Sequence, residues 1–289
     1  MKVGIIGFGE VGAIFARDLA AGGAEVLGFD ILPGARERAA AAGVGAARVH
    51  DATAGADVVF VCVTAGSVLD AVRSLEGTLA SRPFVVDVNS VAPSTKQAAA
   101  RIVEAAGGRY VEAAVMASVP PKGLRSPILL GGPHCGAFTA AMAPFGMDLT
   151  AFSPEVGRAS SVKMCRSVMV KGMEALVTEC LLTARHYGVE ADVLQSLGDT
   201  LPHEDWAGLA RYMVSRSLIH GKRRAEEMVE VAKTVGDAGV EPSMSRAIVE
   251  RQDWAWRQGV VMGRTRDAPE LVPLLDALAA AMEGVRAAE

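Results

Sequence analysis

The chain has 289 residues, 51% of them hydrophobic, and a formal net charge of −4. That length suits two domains and that apolar content supplies a sizeable core, which excludes intrinsic disorder. The acidic balance argues against nucleic acid as a partner. No apolar run approaches the ~18 residues of a membrane span, and the first expected strand starts at Val3, leaving no room for a leader peptide. Cys62, Cys135, Cys165 and Cys180 form no paired motif, and the five histidines lack metal-ligand spacing. We therefore expect a cytoplasmic protein with reduced thiols and no bound metal.

Val3 to Ile6 is an apolar run long enough for a buried strand. "GFGEVG", Gly7 to Gly12, follows it, and helical spacing of apolar residues then runs from Val11 to about Ala21 before Gly22 and Gly23. Glu25 to Phe29 reads as a second strand ending at Asp30. In such a unit the first glycine permits the turn out of the strand, the second lets a pyrophosphate approach the backbone, and the third lets the helix pack on the strand. The helix N-terminus offers unpaired N–H groups to phosphates. Asp30 lies 23 residues after Gly7, the interval expected of a carboxylate on the adenosine ribose. The carboxylate favours NAD over NADP because it repels a 2′-phosphate. Arg36 and Arg38 leave NADP possible, although both also read as solvated helix charges.

A helix through "GARERAAAAG" precedes the continuous apolar strand "ADVVFVCVT", which ends at Val63 and Thr64. These two residues join Gly7, Phe8, Gly9, Glu10, Val11, Gly12 and Asp30 as expected cofactor contacts. Next come a helix from about Ser67, the strand "FVVDV", a helix from Pro93 to Ala106, and strands in "RYVEAAVM" and "SPILLGG". This alternation predicts a mainly parallel, doubly wound Rossmann-type sheet. The pattern changes near Pro154. A helix from Ser160 to Tyr187 is followed by helices over Glu204 to Val235, with a candidate break at Gly221, Pro242 to Gln258, and Ala268 to Ala288. In the last, Leu271, Leu274, Leu275, Leu278, Met282 and Val285 form one apolar stripe. The expected organisation is a dinucleotide-binding domain over 1–155 and an all-α substrate and dimerisation domain over 156–289.

Two segments carry candidate chemistry. In "DVNSVAPSTKQ", Asn89 and Ser90 sit between a strand and a helix; they read either as an ordinary helix start or as polar groups facing substrate. In "VGRASSVKMCRSVMVKG", Lys163 lies early on the long helix, and by itself it reads as a solvated charge.

The combination of "GFGEVG", "DVNSVAPST" and a glycine followed by Lys163 on a long helix resembles the β-hydroxyacid dehydrogenases, to which 6-phosphogluconate dehydrogenase is related. The resemblance covers the first 170 residues or so. It implies hydride transfer between a nicotinamide cofactor and a small, anionic hydroxy acid or its carbonyl product. It also implies Lys163 as acid/base, with Asn89, Ser90, Ala117, Ser118 and Ser167 contacting substrate. The chain departs from the family pattern twice. Its "VMASVPPKG" stretch replaces a Ser-Gly-Gly loop, and Pro120 and Pro121 have no N–H to donate. Arg166 and Ser167 stand where the family carries asparagine. These differences, with "IHGKRRAEEM", suggest a subgroup having its own C-terminal domain. His220, Arg223 and Arg224 there read as a salt-bridged helix face or as a replacement anion site. Alternatives to the dehydrogenase reading are an NADP-dependent imine or ketone reductase and a non-catalytic dinucleotide sensor. Neither nucleic acid nor membrane is expected as a partner, and a homodimer through the helical half is.

Overall fold

A computed structural model describes residues 1–286. The chain divides into two compact units, the first Met1–Cys165 and the second beginning at Arg166. In the first, the order is β1 (Lys2–Ile6), α1 (Glu10–Ala21), β2 (Glu25–Phe29), α2 (Pro33–Ala41), α3 (Val49–Thr53), β3 (Val58–Val61), α4 (Val68–Arg73), β4 (Phe84–Asp87), α5 (Pro93–Ala105), β5 (Arg109–Val115), α6 (Val119–Lys122), β6 (Ile128–Gly131), α7 (Cys135–Met142) and β7 (Leu149–Ser153). α8 (Arg158–Tyr187) starts in this unit and continues into the next, where α9 (Glu190–Thr200), α10 (Trp206–Asp237), α11 (Ser243–Met262) and α12 (Leu271–Arg286) follow.

The seven strands form one sheet in the order β2-β1-β3-β4-β5-β6-β7. Neighbouring strands are parallel except β5 and β6, so β6 and β7 run against the rest. The inner strand β3 is apolar without a break because both of its faces are covered. Its period of two sends Val58 and Phe60 into one core and Val59 and Val61 into the other. The Rossmann-type expectation is met, with β7 and α7 as additions. Their sequence gave little warning: β7 is mostly exposed and α7 is only two turns long.

In the second unit, α10 runs unbroken through Gly221. That glycine permits close helix contact instead of a break. A methyl there would collide with the Gln252 carbonyl on α11, and one at Gly259 would collide with the Leu218 carbonyl on α10. The two helices thus lie backbone to backbone, and Val214, Leu218, Ala255, Leu274 and Leu278 close the core beside them. Of the expected stripe on α12, Leu271, Leu274, Leu275 and Leu278 are buried. The side chain of Val285 and the expected helix end at Ala288 lie outside the described residues. α9 was not anticipated, and none of its residues is fully buried. Trp254 is half-buried against this core, and Trp256 lies beneath Lys222, whose Nζ is 5.5 Å from the ring centroid.

All three tryptophans, Trp206, Trp254 and Trp256, belong to the second unit, so their fluorescence follows its unfolding. Gly221→Ala should lower the urea midpoint, with a loss of about 1–3 kcal/mol from overpacking. Gly236→Ala, on the same helix but facing open space, should raise it by up to ~1 kcal/mol through helix propensity. Equal effects from the two would refute the close-contact role of Gly221.

Candidate active site

The turn after β1 is built from glycines with distinct constraints. Gly7 has φ +93°, and a side chain there would strike the Cys62 carbonyl. A methyl on Gly12 would strike the Gly7 carbonyl, so α1 packs against the turn itself. A Cβ on Gly9 would meet nothing within 4 Å. That open ground at the start of α1, where helix N–H groups lack intrahelical acceptors, suits a pyrophosphate. Glu10 is exposed and Val11 half-buried at the same helix start, and Phe8 is buried with its ring against Gly28. Phe8 therefore presents only backbone to a ligand.

Asp30 closes the turn from β2. One carboxylate oxygen accepts the Phe8 N–H at 2.7 Å and the other the Leu32 N–H at 2.8 Å. The group is half-buried and keeps lone pairs for ribose hydroxyls. Arg38 donates to the Phe8 carbonyl at 3.3 Å and Arg36 to those of Asp30 and Ile31. Both arginines thus brace the turn, Arg36 half-buried and Arg38 exposed to solvent.

At the ends of β3 and β4 lies a buried polar knot that the sequence reading did not assemble. Asp87 and Lys96 are both fully buried, with Nζ 2.9 Å from Oδ1 and donating to the Asp87 carbonyl at 2.8 Å. Tyr110 Oη donates to the other carboxylate oxygen at 2.9 Å. Burial, then the charge of Asp87, pushes the Tyr110 phenol well above its ordinary range, and the same two causes push the Cys62 thiol up. Asn89 Nδ2 donates to Asp87 at 2.6 Å and to the Val61 carbonyl at 3.0 Å, while its Oδ1 accepts the Val63 N–H at 2.8 Å. The Asn89 side chain, assigned from sequence to the substrate, is therefore buried and used in joining β3 to β4. Ser90, next in the chain, is half-buried, and Thr64 is exposed with Oγ1 3.1 Å from Ser67 Oγ. A charged residue ending an apolar strand, as in "FVVDV", was the available signal for this knot.

Glu112 sits beside Asp87 in the register of β4 and β5 and is also fully buried. Its two oxygens accept the N–H groups of Gly157 and Ser160, each at 2.6 Å, where α8 begins. Lys163 follows, half-buried in the first two turns of that helix, and Ser167 is buried one turn later, in the second unit. Ala117 and Ser118 are exposed in the segment after β5. His220, Arg223 and Arg224 belong to α10. Arg223 forms the i,i+4 pair with Glu227 at 2.8 Å, and Arg224 pairs with buried Glu174 at 2.6 Å. Among the described residues, no group of three or more His, Cys, Asp or Glu side chains is placed to hold a metal, and no helix is long and apolar enough to cross a membrane.

The glycine turn, the open start of α1 and the carboxylate of Asp30 define a dinucleotide-binding α/β protein. A family model for the NAD binding domain of 6-phosphogluconate dehydrogenase matches residues 2–138, and one for a domain of unknown function (DUF1932) matches residues 184–255. A conserved hypothetical protein from Sinorhizobium meliloti 1021 is 34% identical, with 97% of this chain and 96% of that one covered and a TM-score of 0.73. The conserved protein MTH1747 of unknown function, whose structure reveals similarity with 3-hydroxyacid dehydrogenases, is 33% identical over 90% of this chain and 99% of its own, with a TM-score of 0.70. The mitochondrial 3-hydroxyisobutyrate dehydrogenase of Drosophila melanogaster is 23% identical over 71% of this chain and 65% of its own length. The chain belongs to the 6-phosphogluconate-dehydrogenase-like NAD-binding family and carries the DUF1932 domain after its nucleotide-binding part.

NADH should bind more tightly than NADPH, because the Asp30 carboxylate repels a 2′-phosphate. Asp30→Ala should shrink that difference and weaken NADH itself, since the Phe8 N–H loses its acceptor. Calorimetry with both cofactors reads the two effects, and tighter NADPH binding to the unaltered protein would refute the assignment.

Proposed function

We propose that the protein is an NAD-dependent oxidoreductase acting on a small hydroxy acid or its carbonyl product, with Lys163 as the acid/base. The observation that carries this reading is the placement of Lys163. It is half-buried at a helix start that Glu112 ties to β5, within the unit that holds the glycine turn. The 3-hydroxyisobutyrate dehydrogenase and the similarity of MTH1747 to 3-hydroxyacid dehydrogenases support the reaction class.

A bound nicotinamide supplies the hydride acceptor or donor. In the oxidation direction, Lys163 Nζ takes the proton from the substrate hydroxyl, and in reduction it returns it. Ser90 and Ser118, in the unit that holds Lys163, orient the polar substrate by hydroxyl hydrogen bonds. Asn89 positions Ser90 through its bonds to Asp87, Val61 and Val63. An exposed segment rich in proline replaces a loop of amide donors, so the carboxylate of the substrate is held by side chains to a greater degree than in relatives with glycines there. The four unpaired thiols favour a reducing, cytoplasmic setting.

The same reading includes a homodimer. Along α8, Val162, Met169, Leu176 and Tyr187 are exposed, with Met173 half-buried and Cys180 exposed between them. Residues 162, 169 and 176 recur at seven, and 173, 180 and 187 interleave at the same interval. That is the spacing of a helix seam awaiting a partner helix.

Lys163→Ala should leave NADH binding intact and lower kcat by about 10²- to 10⁴-fold. Lys163→Arg should be nearly as poor, because arginine does not release its proton. Near-normal kcat in either variant, on the best substrate from a panel of hydroxy acids and semialdehydes, would overturn the role. Light scattering at micromolar concentration should report a dimer, and Met169→Glu with Leu176→Glu should yield a monomer. A monomeric unaltered protein would refute the assembly.

A further inference from the structure

The two halves of a dinucleotide divide across the sheet of the first unit. In a doubly wound sheet a ligand lies outside the carboxyl ends of the strands, where the strand order reverses. Here that place is between β1 and β3. With the adenosine at Asp30 beyond β2 and the pyrophosphate at the glycine turn after β1, the nicotinamide half extends over the ends of β3 and β4. The residues that follow β3 there include Val63, half-buried, and Thr64, exposed. A methyl on Gly7 would come 2.9 Å from Val63 Cγ1, so Val63 stands directly beside the turn.

A side chain holds that segment where the strand ladder stops. β3 ends at Val61, whose carbonyl accepts the Val88 N–H at 3.3 Å. The next link is Asn89. Its Oδ1 accepts the Val63 N–H at 2.8 Å, and its Nδ2 donates to the Val61 carbonyl at 3.0 Å and to Asp87 Oδ1 at 2.6 Å. A peptide N–H only donates, and a carbonyl or carboxylate oxygen only accepts. All three partners therefore demand the same orientation of the amide. Asp87 supplies the charged partner and is itself fixed from two sides. Lys96 of α5 meets Oδ1 at 2.9 Å, and Tyr110 of β5 donates to Oδ2 at 2.9 Å. Asp87, Lys96 and Tyr110 are fully buried and Asn89 nearly so, so no ligand touches them. A buried ion pair often stabilises a fold no better than apolar side chains of the same shape. Its place at the ligand edge of the sheet gives it another use.

We infer that Asp87 and Asn89 are positioning residues for the nicotinamide half of the cofactor. Asp87 sets the Asn89 amide, the amide oxygen sets the Val63 N–H, and Val63 and Thr64 are thereby held beside the glycine turn. The chain of bonds reaches the ligand only through that segment. None of its bonds reaches the Asp30 carboxylate, which is held by the Phe8 and Leu32 N–H groups. Loosening the knot should therefore affect one end of the cofactor and spare the other.

The test compares two ligands that differ at one end. NADH and ADP-ribose share the adenosine, the pyrophosphate and the second ribose, and only NADH carries the nicotinamide. Titration calorimetry on the full chain gives both affinities, and thermal melts of the unliganded protein read stability separately. Asn89→Ala should weaken NADH about tenfold, the effect of one lost hydrogen bond, and ADP-ribose by less than about twofold. Two further variants exchange the ion pair for neutral groups and so leave no uncompensated buried charge. Asp87→Asn with Lys96→Met keeps an acceptor for the Asn89 amide and should retain the ratio of NADH to ADP-ribose affinity. Asp87→Leu with Lys96→Met and Tyr110→Phe removes that acceptor and should lower the ratio as Asn89→Ala does. Equal weakening of the two ligands in Asn89→Ala or in the leucine variant, whatever the melts show, would leave the knot a purely structural role and overturn the inference. A ratio lowered alike by the asparagine and leucine variants would remove Asp87 from it. No substrate enters the measurement, so its outcome is separate from the fate of Lys163 and of the hydroxy-acid assignment.

Discussion

The placement of α8 depends on one buried carboxylate. Glu112 reaches from the middle of the sheet and accepts two N–H groups at the start of that helix. A helix start carries unsatisfied donors and a partial positive charge, and a buried carboxylate is costly without strong donors. Each resolves the need of the other, and charged hydrogen bonds of this kind contribute about 1.5–3 kcal/mol each. Gly131 has no side chain because one would occupy the position of Glu112, and Gly157 turns into the helix at φ +105°. The helix thus starts at a fixed point on β5, and the position of Lys163 follows from the count of residues after it.

The neighbouring acid is handled differently. Asp87 stands opposite Glu112 in the strand register, so two carboxylates enter adjacent buried positions. Asp87 is matched by a lysine ammonium, a phenol and an amide, where Glu112 is matched by peptide groups alone. Separate partners let both remain in one sheet without competing for the same cation. The Asn89 side chain serves both needs at once: without it Asp87 would lose one donor and the link from β4 to Val61 and Val63 at the end of β3 would go.

Much of this was legible in the residues. The strand, glycine turn, helix and acid within the first thirty positions specify their own geometry locally, so Gly7, Gly12 and Asp30 stand where spacing put them. The long helices were visible from an absence of breakers. What escaped was non-local. Gly221 reads as a helix break until α11 is laid against it. The partners of Asp87 come from positions 89, 96 and 110, and the bonds of Glu112 reach 45 and 48 residues ahead. No periodicity in the sequence encodes such pairings. Only the presence of acids inside apolar strands hinted that partners must exist.

The three glycines of the first turn are held in place by different authorities. Gly7 and Gly12 are demanded by the chain, through a backbone angle and two carbonyl oxygens. Gly9 is demanded by nothing inside the molecule, since the fold leaves a side chain there free space. A lineage of this protein that stopped using the turn as a binding surface would keep Gly7 and Gly12 for as long as it kept folding. It would be free to lose Gly9 at once. The identity of that one residue across descendants is therefore a record of use, written separately from the record of structure in the glycines on either side.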